Sequence, residues 1–477
     1  MQATSRDFSA NARAELANEP LQRALGTMTQ RGFPLRRREA VARLPEFEEL
    51  RERGREIKDH TLANLDFYLE LYEQNVVASG GEVHWARSAE EALEAVLRIC
   101  RTAGAKIVTK GKSMIAEEIG LNDFLENNGI TPVETDLGEY IIQLRREPPS
   151  HLIAPAMHLV KQQVADTFRG AHRWLDPARP LDEPRALCDE ARAHLRPQFL
   201  AADVGITGAN FLVAEIGSGI IVTNEGNGDL TQTLPRVHIV IASLEKLVPT
   251  FEDAATLLRL LARSATGQEF SAYTTVTTGP RRGGDLDGPE AYHVVLLDNG
   301  RSAMLGGEFQ DMLRCIRCAA CLNHCPVYAA VGGHAYGWVY PGPMGAVLSP
   351  SLIGIEETAP LPHASTLCGR CEAVCPVKIP LPKMLRHWRE REFSKKLAPK
   401  VWRSGLWLWV LVARRPALYH VLAEIGSRAI GWAGGRRGRF RSLPLAGGWT
   451  QVRDMPAPEG RSFHSLWAER AKSGGRD

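Results

Sequence analysis

Short apolar runs alternate with amphipathic segments through much of the chain after residue 75. Three of the apolar runs predict strands: 82–85, 106–109 and 131–134. The segments that follow them repeat their apolar residues at the helical period: 88–101, 113–129 and 137–144. Strands that alternate with helices are typical of a parallel sheet covered by helices. The pattern therefore predicts an α/β domain, which we place at residues 75–300.

The second half of this domain is predicted to contain more strands than helices. Residues 211–215 and 220–224 flank a Gly-Ser-Gly sequence at 217–219 and predict a hairpin. Three further strands and one helix follow: strand 237–242, helix 251–264, and strands 273–278 and 293–297, the last two joined by a glycine-rich turn at 279–288. We expect all the strands of the domain to lie in one sheet.

The two ends of the chain have distinct charge patterns. Residues 1–74 predict a charged helical arm, in which mixed-sign runs such as 46–55 are expected to face water, although the arginine run at 36–38 leaves a binding role open. Residues 391–477 predict a basic, tryptophan-containing tail that ends in a loose polar segment from 456 onward. Between 395 and 441 the tail has eleven Lys or Arg residues and one acid. Such a segment suits docking on a partner, packing on its own core, or a lipid surface.

Seven of the nine cysteines lie in one window and identify the chemistry of residues 301–390. The first run, at 315–326, has the spacing C-x2-C-x2-C-x3-C-P, and the second, at 368–376, has C-x2-C-x3-C-P. The first spacing is that of bacterial ferredoxins, where three thiolates bind one cluster and the fourth binds a second cluster. We therefore predict a ferredoxin-type domain with two iron–sulfur clusters. Cluster 1 is assigned to Cys315, Cys318, Cys321 and Cys375, and cluster 2 to Cys325, Cys368 and Cys371.

The fourth ligand of cluster 2 is left open by the spacing. The register calls for a cysteine where Ser365 stands. Ser365, His363 or a distant group completes the set, the cluster is of the three-iron type, or one iron has no protein ligand. Cluster 1 is therefore predicted as [4Fe-4S] and cluster 2 as [4Fe-4S] or [3Fe-4S]. A structural zinc site or disulfides are the alternatives for these cysteines. The insert at 328–362, rich in Gly, Pro and aromatic residues, predicts a packed loop that shields the clusters from solvent.

Composition restricts the partners and the compartment. The net charge is +3, which gives no argument for a nucleic-acid partner. Cysteines gathered in metal-type runs are typical of a reducing compartment, and the polar N-terminus has no apolar signal core, so we expect a cytoplasmic protein. With no run of 18 apolar residues, a membrane span is not predicted, and the tail remains the candidate for a peripheral membrane or quinone-linked contact.

Three further motifs carry weaker predictions. Lys110-Gly111-Lys112-Ser113 lies between a strand and a helix and predicts a simple helix cap, with a phosphate or carboxylate contact as the alternative. Glu225 lies on a glycine-flanked turn after a strand and is expected to be an ordinary turn residue, with a nucleophilic carboxylate as the alternative. Four histidines have no metal-binding spacing and are predicted to be structural: His238, His293, His324 and His334.

Three segments together resemble the lactate utilisation protein B family: KGKSMIAEEIGLN at 110–122, TGANFLVAEIGSGIIVTNEGNG at 207–228 and CIRCAACLNHCP at 315–326. The resemblance implies a LUD domain with a fold similar to the NagB/RpiA/CoA-transferase group. It also implies two ferredoxin-type clusters held by all seven cysteines, and a role with partner subunits in oxidising L-lactate to pyruvate. The family's second run also has three cysteines, so Ser365 is no departure from it.

Spacing and resemblance agree on electron transfer. We therefore expect an iron–sulfur electron-transfer subunit of a lactate-oxidising complex, with partner subunits of the lactate utilisation system. The alternative is a LUD domain that binds a ligand or acts as an acyl- or CoA-type enzyme, with the clusters as a redox sensor.

Overall fold

The computed structural model describes residues 3–111, 113–442, 447–450 and 453–472, with the backbone alone described at 29–31, 447 and 448. The chain divides into two compact units, Met1–Ser394 and Lys395–Asp477. The first unit contains the α/β sheet and both cysteine runs, and therefore all of the predicted cluster ligands.

Five helices precede the first strand: α1 Phe8–Leu16, α2 Glu19–Leu25, α3 Phe33–Ala42, α4 Phe47–Ala63 and α5 Leu65–Ala78. The prediction of a helical segment is confirmed. The expectation that the mixed-sign run faces water is confirmed for Glu48, Glu49 and Arg53 and is wrong for Arg51. Phe47 and Ile57 of α4 belong to the same apolar core as the cysteine region, and Arg51 and Lys58 are buried. These two cations tolerate burial because they donate hydrogen bonds to backbone carbonyls of other segments, those of Cys375 and Leu247.

Six parallel strands form the central sheet, in the order β1-β10-β7-β4-β2-β3. Their bounds are β1 Glu82–Ala86, β2 Ile107–Lys110, β3 Thr131–Glu134, β4 Val204–Gly208, β7 Val237–Ser243 and β10 Ala291–Leu297. Apolar side chains on one face pack on α6, α7 and α8 (Ala89–Thr102, Met114–Ile119 and Leu121–Asn127), and those on the other face pack on α5. The predicted parallel α/β arrangement is confirmed.

A second sheet of four strands was not expected from the sequence. Its order is β8-β5-β6-β9, with β5 Phe211–Val213, β6 Ser218–Thr223, β8 Leu247–Val248 and β9 Tyr273–Thr277. The predicted hairpin of β5 and β6 is confirmed, but the expectation of a single sheet is wrong, since β9 pairs with β6 while β10 lies in the central sheet. Alternate residues explain the layer: Phe211 and Val213 face the cysteine-region core, while Leu212 faces the central sheet.

The remaining helices of the α/β region complete its outer layers: α9 Leu137–Arg145, α10 Lys161–Ala171, α11 Pro184–Ala201, α12 Asn227–Thr233 and α13 Phe251–Ala265. One predicted helix, 113–129, is divided into α7 and α8. Gly120 lies between them with φ +69°, a left-handed conformation that ends α7 and that glycine adopts without steric cost.

The cysteine region is built from short helices: α14 Ala320–Asn323, α15 Pro326–Val331, α16 Gly342–Ile353, α17 Ile355–Thr358, α18 Arg370–Ala373 and α19 Leu381–Ser394. The insert at 328–362 was expected to be a loop, and it is mainly helical. Pro343 lies in the first turn of α16, where no amide donor is required, and α16 also contains Pro350, three residues before its last residue. The insert is packed as predicted, with Tyr336 and Tyr340 fully buried.

The second unit consists of α20 Lys400–Ala413, α21 Pro416–Gly434, α22 Gly447–Thr450 and α23 Phe463–Lys472, with a two-stranded ribbon of β11 Arg439–Phe440 and β12 Met455–Pro456. The segment from 456 onward was expected to be loose, yet it contains α23. Across the described residues, no helix combines the length and apolar character needed to cross a bilayer.

Candidate iron–sulfur site

The two cysteine runs meet because each begins with a tight loop followed by a short helix. Cys315 ends a 3-10 turn, and α14 and α18 begin just before Cys321 and Cys371. In the first loop Arg317 and Ala319 have φ of +58° and +61°. Left-handed backbone costs a non-glycine residue about 1–2 kcal/mol, and such strain concentrates at functional loops. The loop is thus held in a conformation that its sequence alone does not favour.

A small cavity brings together four of the cysteines, Cys315, Cys318, Cys321 and Cys375. The rest of its lining is apolar and comes from several segments, including Leu152, Met344, Ile379 and Leu381. The backbone N–H of Ile379 donates a hydrogen bond to Cys375 Sγ over 3.4 Å. Donors to sulfur and exclusion of water are two of the ways in which a protein tunes an iron–sulfur cluster.

The other three cysteines form a second group beside the first. Cys371 interacts electrostatically with Cys325 and Cys368, and Cys321 interacts with Cys371 across the two groups. Cys325 and Cys371 are buried, whereas Cys368 is exposed. The second group is therefore the more accessible to solvent.

Two residues considered as the fourth ligand of the second group have other contacts. Ser365 Oγ accepts a hydrogen bond from the backbone N–H of Leu367 over 3.1 Å. His363 Nε2 is paired with the carboxylate of Glu392. Either residue would have to give up its contact in order to bind iron.

The cysteines fit polynuclear clusters better than single zinc ions. A tetrahedral zinc site with Zn–S bonds of about 2.3 Å places its sulfurs about 3.8 Å apart. Among the described residues, which include all seven cysteines of the runs, no three of the sulfurs lie within 4.8 Å of one another. All nine cysteines of the chain are free thiols, so disulfides do not account for the runs either.

Burial sets the protonation of these thiols. It raises the pKa of Cys375 to about 11 and that of Cys371 to about 12, and it raises the pKa of Cys318 and Cys321 further. Thiols in such surroundings stay protonated at neutral pH unless strong positive charge replaces the protons, and bound metal ions supply that charge. These four buried thiols are therefore unsuited to free thiolate chemistry, whereas hydrogen bonds, chiefly from the backbone of Arg370, lower the pKa of the exposed Cys368.

Two arginines of the N-terminal helices bind the backbone of the second cysteine run. Arg51 donates to the carbonyl of Cys375 from Nε and Nη2, over 3.0 and 2.8 Å. Arg37 donates to the carbonyl of Val374 over 3.0 Å and lies close enough to Cys318 for their charges to interact. The helical arm thus supplies positive charge beside the cysteines, which sequence reasoning had assigned to the solvent.

A buried ionic network connects the cysteine loop to the carboxyl end of β7. Glu245, just beyond that strand, pairs with Arg317 over 3.0 Å and with Arg301 over 3.1 Å. Arg301 in turn pairs with Glu118 over 2.6 Å. These cations hold the pKa of Glu245 at about 2 despite its burial. The signal was an acid and a base at 245–246 directly after an apolar strand, but its partners lie far away in sequence.

The motif at 110–113 proves to be structural where it is described. Lys110 is fully buried, and its Nζ lies 2.7 Å from Glu117 Oε1 and 2.7 Å from Glu134 Oε1, so the alternative prediction of an anion contact by Lys110 is wrong. The carboxylates are present because a buried ammonium requires compensation. Ser113 Oγ accepts from the N–H of Ala116, which is the predicted cap. Lys112 lies outside the described residues.

A larger cavity of about 450 Å³ lies at the carboxyl ends of β3, β4 and β7. Glu225 lines it from an exposed turn after β6, and two buried cations that the sequence analysis did not single out, Lys246 and Arg317, line it as well. Ligands of open α/β sheets bind at this edge of the sheet.

The histidines were predicted to be structural. His238, for example, is buried and pairs with Thr207 Oγ1 over 2.9 Å. His293 has two titratable neighbours that the sequence did not indicate. Its Nδ1 lies 3.1 Å from His84 Nε2 and 3.7 Å from Glu82 Oε2. Parallel pairing of β1 with β10 places Glu82 opposite His293, a proximity that no local spacing could reveal.

Three family descriptions match consecutive parts of the chain. The LUD domain matches residues 69–297, a 4Fe-4S dicluster domain matches 311–379, and the C-terminal region of lactate utilisation protein B matches 370–472. The second match covers both cysteine runs and indicates iron–sulfur clusters.

Similar proteins cover nearly the whole chain. A lactate utilization protein B of Oceanobacillus iheyensis is 46% identical, covering 90% of this chain and 89% of its own, and one of Geobacillus kaustophilus is 44% identical, covering 98% of each. An "uncharacterized electron transport protein" of Escherichia coli is 41% identical over 98% of this chain and 97% of its own. A solved DUF162 family structure from Deinococcus radiodurans matches 49% of this chain and 98% of its own length, with 14% identity and a TM-score of 0.26. By these full-length relatives, the chain belongs to the lactate utilisation protein B family of iron–sulfur proteins.

Proposed function

We propose that this chain is the electron-carrying subunit of a complex that oxidises L-lactate to pyruvate, acting with other subunits of the lactate utilisation system. The proposal rests on one observation above all, the grouping of seven cysteines into a set of four around an apolar cavity and a neighbouring set of three. Family membership supplies the substrate, since the relatives are lactate utilisation proteins by name.

In this proposal Cys315, Cys318, Cys321 and Cys375 hold a [4Fe-4S] cluster. The second set, Cys325, Cys368 and Cys371, holds a [4Fe-4S] or [3Fe-4S] cluster. When bound, such clusters accept and release single electrons. The chain's own residues set how readily this happens: thiolates bind iron, Arg37 and Arg51 place positive charge nearby, and apolar residues exclude water.

The domain limits follow from the same proposal. We assign a helical arm to 1–74, the LUD domain to 75–300, the ferredoxin-type domain to 301–390 and the basic tail to 391–477. Nine free thiols support a reducing compartment, and we propose the cytoplasm.

Iron and sulfide quantification with EPR spectroscopy of anaerobically purified protein tests the proposal. We expect about seven to eight iron atoms per chain and signals of reduced clusters after dithionite treatment. Cys318→Ser should lose iron and abolish lactate-dependent electron transfer in the assembled complex, whereas Cys188→Ser, an exposed cysteine far from the runs in sequence, should change neither. Stoichiometric zinc with no iron would end the proposal.

A ligand-binding LUD domain is the second candidate, and the 450 Å³ cavity favours it. If the domain is an enzyme that uses Glu225, then Glu225→Gln should abolish turnover with iron content unchanged. If the chain serves electron transfer alone, the same variant should retain lactate oxidation.

The basic tail is proposed as a contact surface for a partner or an anionic, quinone-containing membrane. Trp402, Trp407 and Trp409 on α20 are 70%, 65% and 58% exposed, on a helix that begins with Lys400 and is followed by Arg414. Aromatic residues beside cations suit membrane interfaces and protein partners alike. Flotation with anionic vesicles compares the full chain with one ending at residue 394. Vesicle binding that needs the tail supports a lipid surface, and its absence excludes the membrane contact.

A further inference from the structure

The large cavity of the first unit has the size and position of a ligand site. Its volume of about 450 Å³ lies within the range of small-molecule pockets, and most of its lining is apolar. It is also adjacent to the cysteines of the first run, because Leu152 lines both this cavity and the small cysteine cavity. A ligand bound here would lie next to the proposed position of cluster 1.

Two buried cations line this cavity and have N–H groups that can donate hydrogen bonds to a ligand. Lys246 is 7% exposed, lines the cavity and interacts electrostatically with Glu245. Arg317 is 8% exposed, and although its Nη2 binds Glu245, its Nη1 is buried with no hydrogen-bond partner among the described residues. Buried donors are costly when unsatisfied, so their arrangement points to an anion that is bound in use.

The surrounding ionic network does not satisfy these cations by itself. It contains four buried cations and two buried carboxylates: Lys58, Lys246, Arg301 and Arg317 with Glu118 and Glu245. The surplus positive charge also lowers the pKa of Lys246 to about 8, after burial as the larger cause. Thiolates of the first run balance part of the surplus, but Lys246 and Arg317 line the large cavity and not the cysteine cavity.

Carboxylates elsewhere in the lining favour a ligand with few negative charges. Asp136 and Glu225 both line the cavity, and Asp136 Oδ1 accepts hydrogen bonds from the backbone N–H groups of Gly138 and Glu139. A second anionic group on the ligand would add negative charge beside these acids, which disfavours phosphate esters and dicarboxylates. An apolar lining with two cations and two acids therefore suits a short organic acid with a single carboxylate.

We propose that this cavity binds a small organic monocarboxylate of the 2-hydroxy or 2-oxo acid type, whose carboxylate is held by Lys246 and Arg317. The assignment rests on the proposed function for the acid's identity, and on the cavity for its charge and size. It places an acid-binding site in the electron-carrying subunit itself, next to the first cysteine run.

Calorimetric titration of anaerobically purified, full-length protein tests the site directly. L-lactate and pyruvate should bind, while L-lactamide, the neutral isostere of lactate, should not. Lys246→Met should weaken carboxylate binding by about tenfold to a hundredfold, the range expected for a lost charged hydrogen bond. Ala209→Leu, which fills the cavity and leaves both cations in place, should weaken binding as well with iron content unchanged.

Lys106→Met is the control. Lys106 is exposed, lies outside the buried network and does not line the cavity, so its loss should leave carboxylate affinity within about twofold. Equal binding of lactate and lactamide, equal binding by wild type and Lys246→Met, or binding of inorganic phosphate in place of carboxylates would overturn the inference. Iron content and EPR signals on the same samples judge the electron-transfer proposal separately, so either can fail while the other stands.

Discussion

Replacing Lys110 by methionine should destabilise the α/β domain severely. Lys110 is buried at the end of β2, and its ammonium is the shared partner of Glu117 and Glu134, 2.7 Å from each. Glu139 is also buried nearby and interacts with the same charge. Removing one partner of a buried ion pair costs about 3–5 kcal/mol, because the remaining charge stays uncompensated. That is a large share of the roughly 5–15 kcal/mol that stabilises a typical domain.

The loss should depend on pH in a defined direction. Burial already raises the pKa of Glu134, and without Lys110 that pKa rises further. A carboxyl group with a raised folded-state pKa takes up a proton on folding. Its contribution is present below the unfolded-state pKa of about 4.3 and is lost as pH rises through the folded-state value. Lys110→Met should therefore be closest to wild type near pH 5 and furthest from it at pH 8, with a slope of up to about 1.4 kcal/mol per pH unit for each proton.

Urea denaturation followed by circular dichroism at both pH values measures this effect. Lys106→Met is the control, since Lys106 is exposed just before the same strand and should change stability by no more than about 0.5 kcal/mol. Adding Glu134→Gln to Lys110→Met should restore part of the loss at pH 8, because it removes one orphaned charge. If Lys110→Met were as stable as the control and instead bound phosphate less tightly, the ion-pair reasoning would be refuted.

Three further predictions follow from buried or cysteine-linked groups. Cys318→Ser should remove about half of the bound iron, measured against Cys188→Ser. Arg51→Met should lower the midpoint potential of cluster 1 by an amount on the order of tens of millivolts in an EPR redox titration, because a nearby positive charge favours the added electron; Arg53→Met, exposed on the same helix, should not. Burial lowers the pKa of His238 to about 3, so between pH 6.5 and pH 3 only the unfolded chain binds a proton there. The free energy of unfolding therefore decreases as the pH is lowered through this range. His238→Asn should reduce that loss at pH 5 by about 2 kcal/mol in urea denaturation.

Local patterns predicted the parts of the molecule that depend on neighbouring residues. The cysteine spacing fixes how three sulfurs of one loop face one cavity, and the crossing rule of ferredoxins placed Cys375 with Cys315, where the structure also has it. The parallel sheet was likewise predictable, since buried strands and amphipathic helices alternate in the sequence itself.

The sequence-based predictions that were wrong concern features that depend on contacts between distant segments. Arg51 and Lys58 look like solvent-facing residues in a mixed-charge run, but both donate hydrogen bonds to carbonyls more than 180 positions away. The separation of β9 from β10 could not be predicted for a similar reason. Two equally apolar strands can pair in different sheets, depending on which core each one covers. Lys246 is marked in the sequence only by its place after an apolar strand, and the cavity that it lines is formed by distant segments.

The arginines of the N-terminal helices have a consequence for biosynthesis. Arg37 and Arg51 are translated early, yet the carbonyls they bind belong to residues 337 and 324 positions later. The ribosome must therefore release nearly the whole first unit before this layer can seat. The second cysteine run is therefore fixed against the N-terminal helices only after both runs have been synthesised.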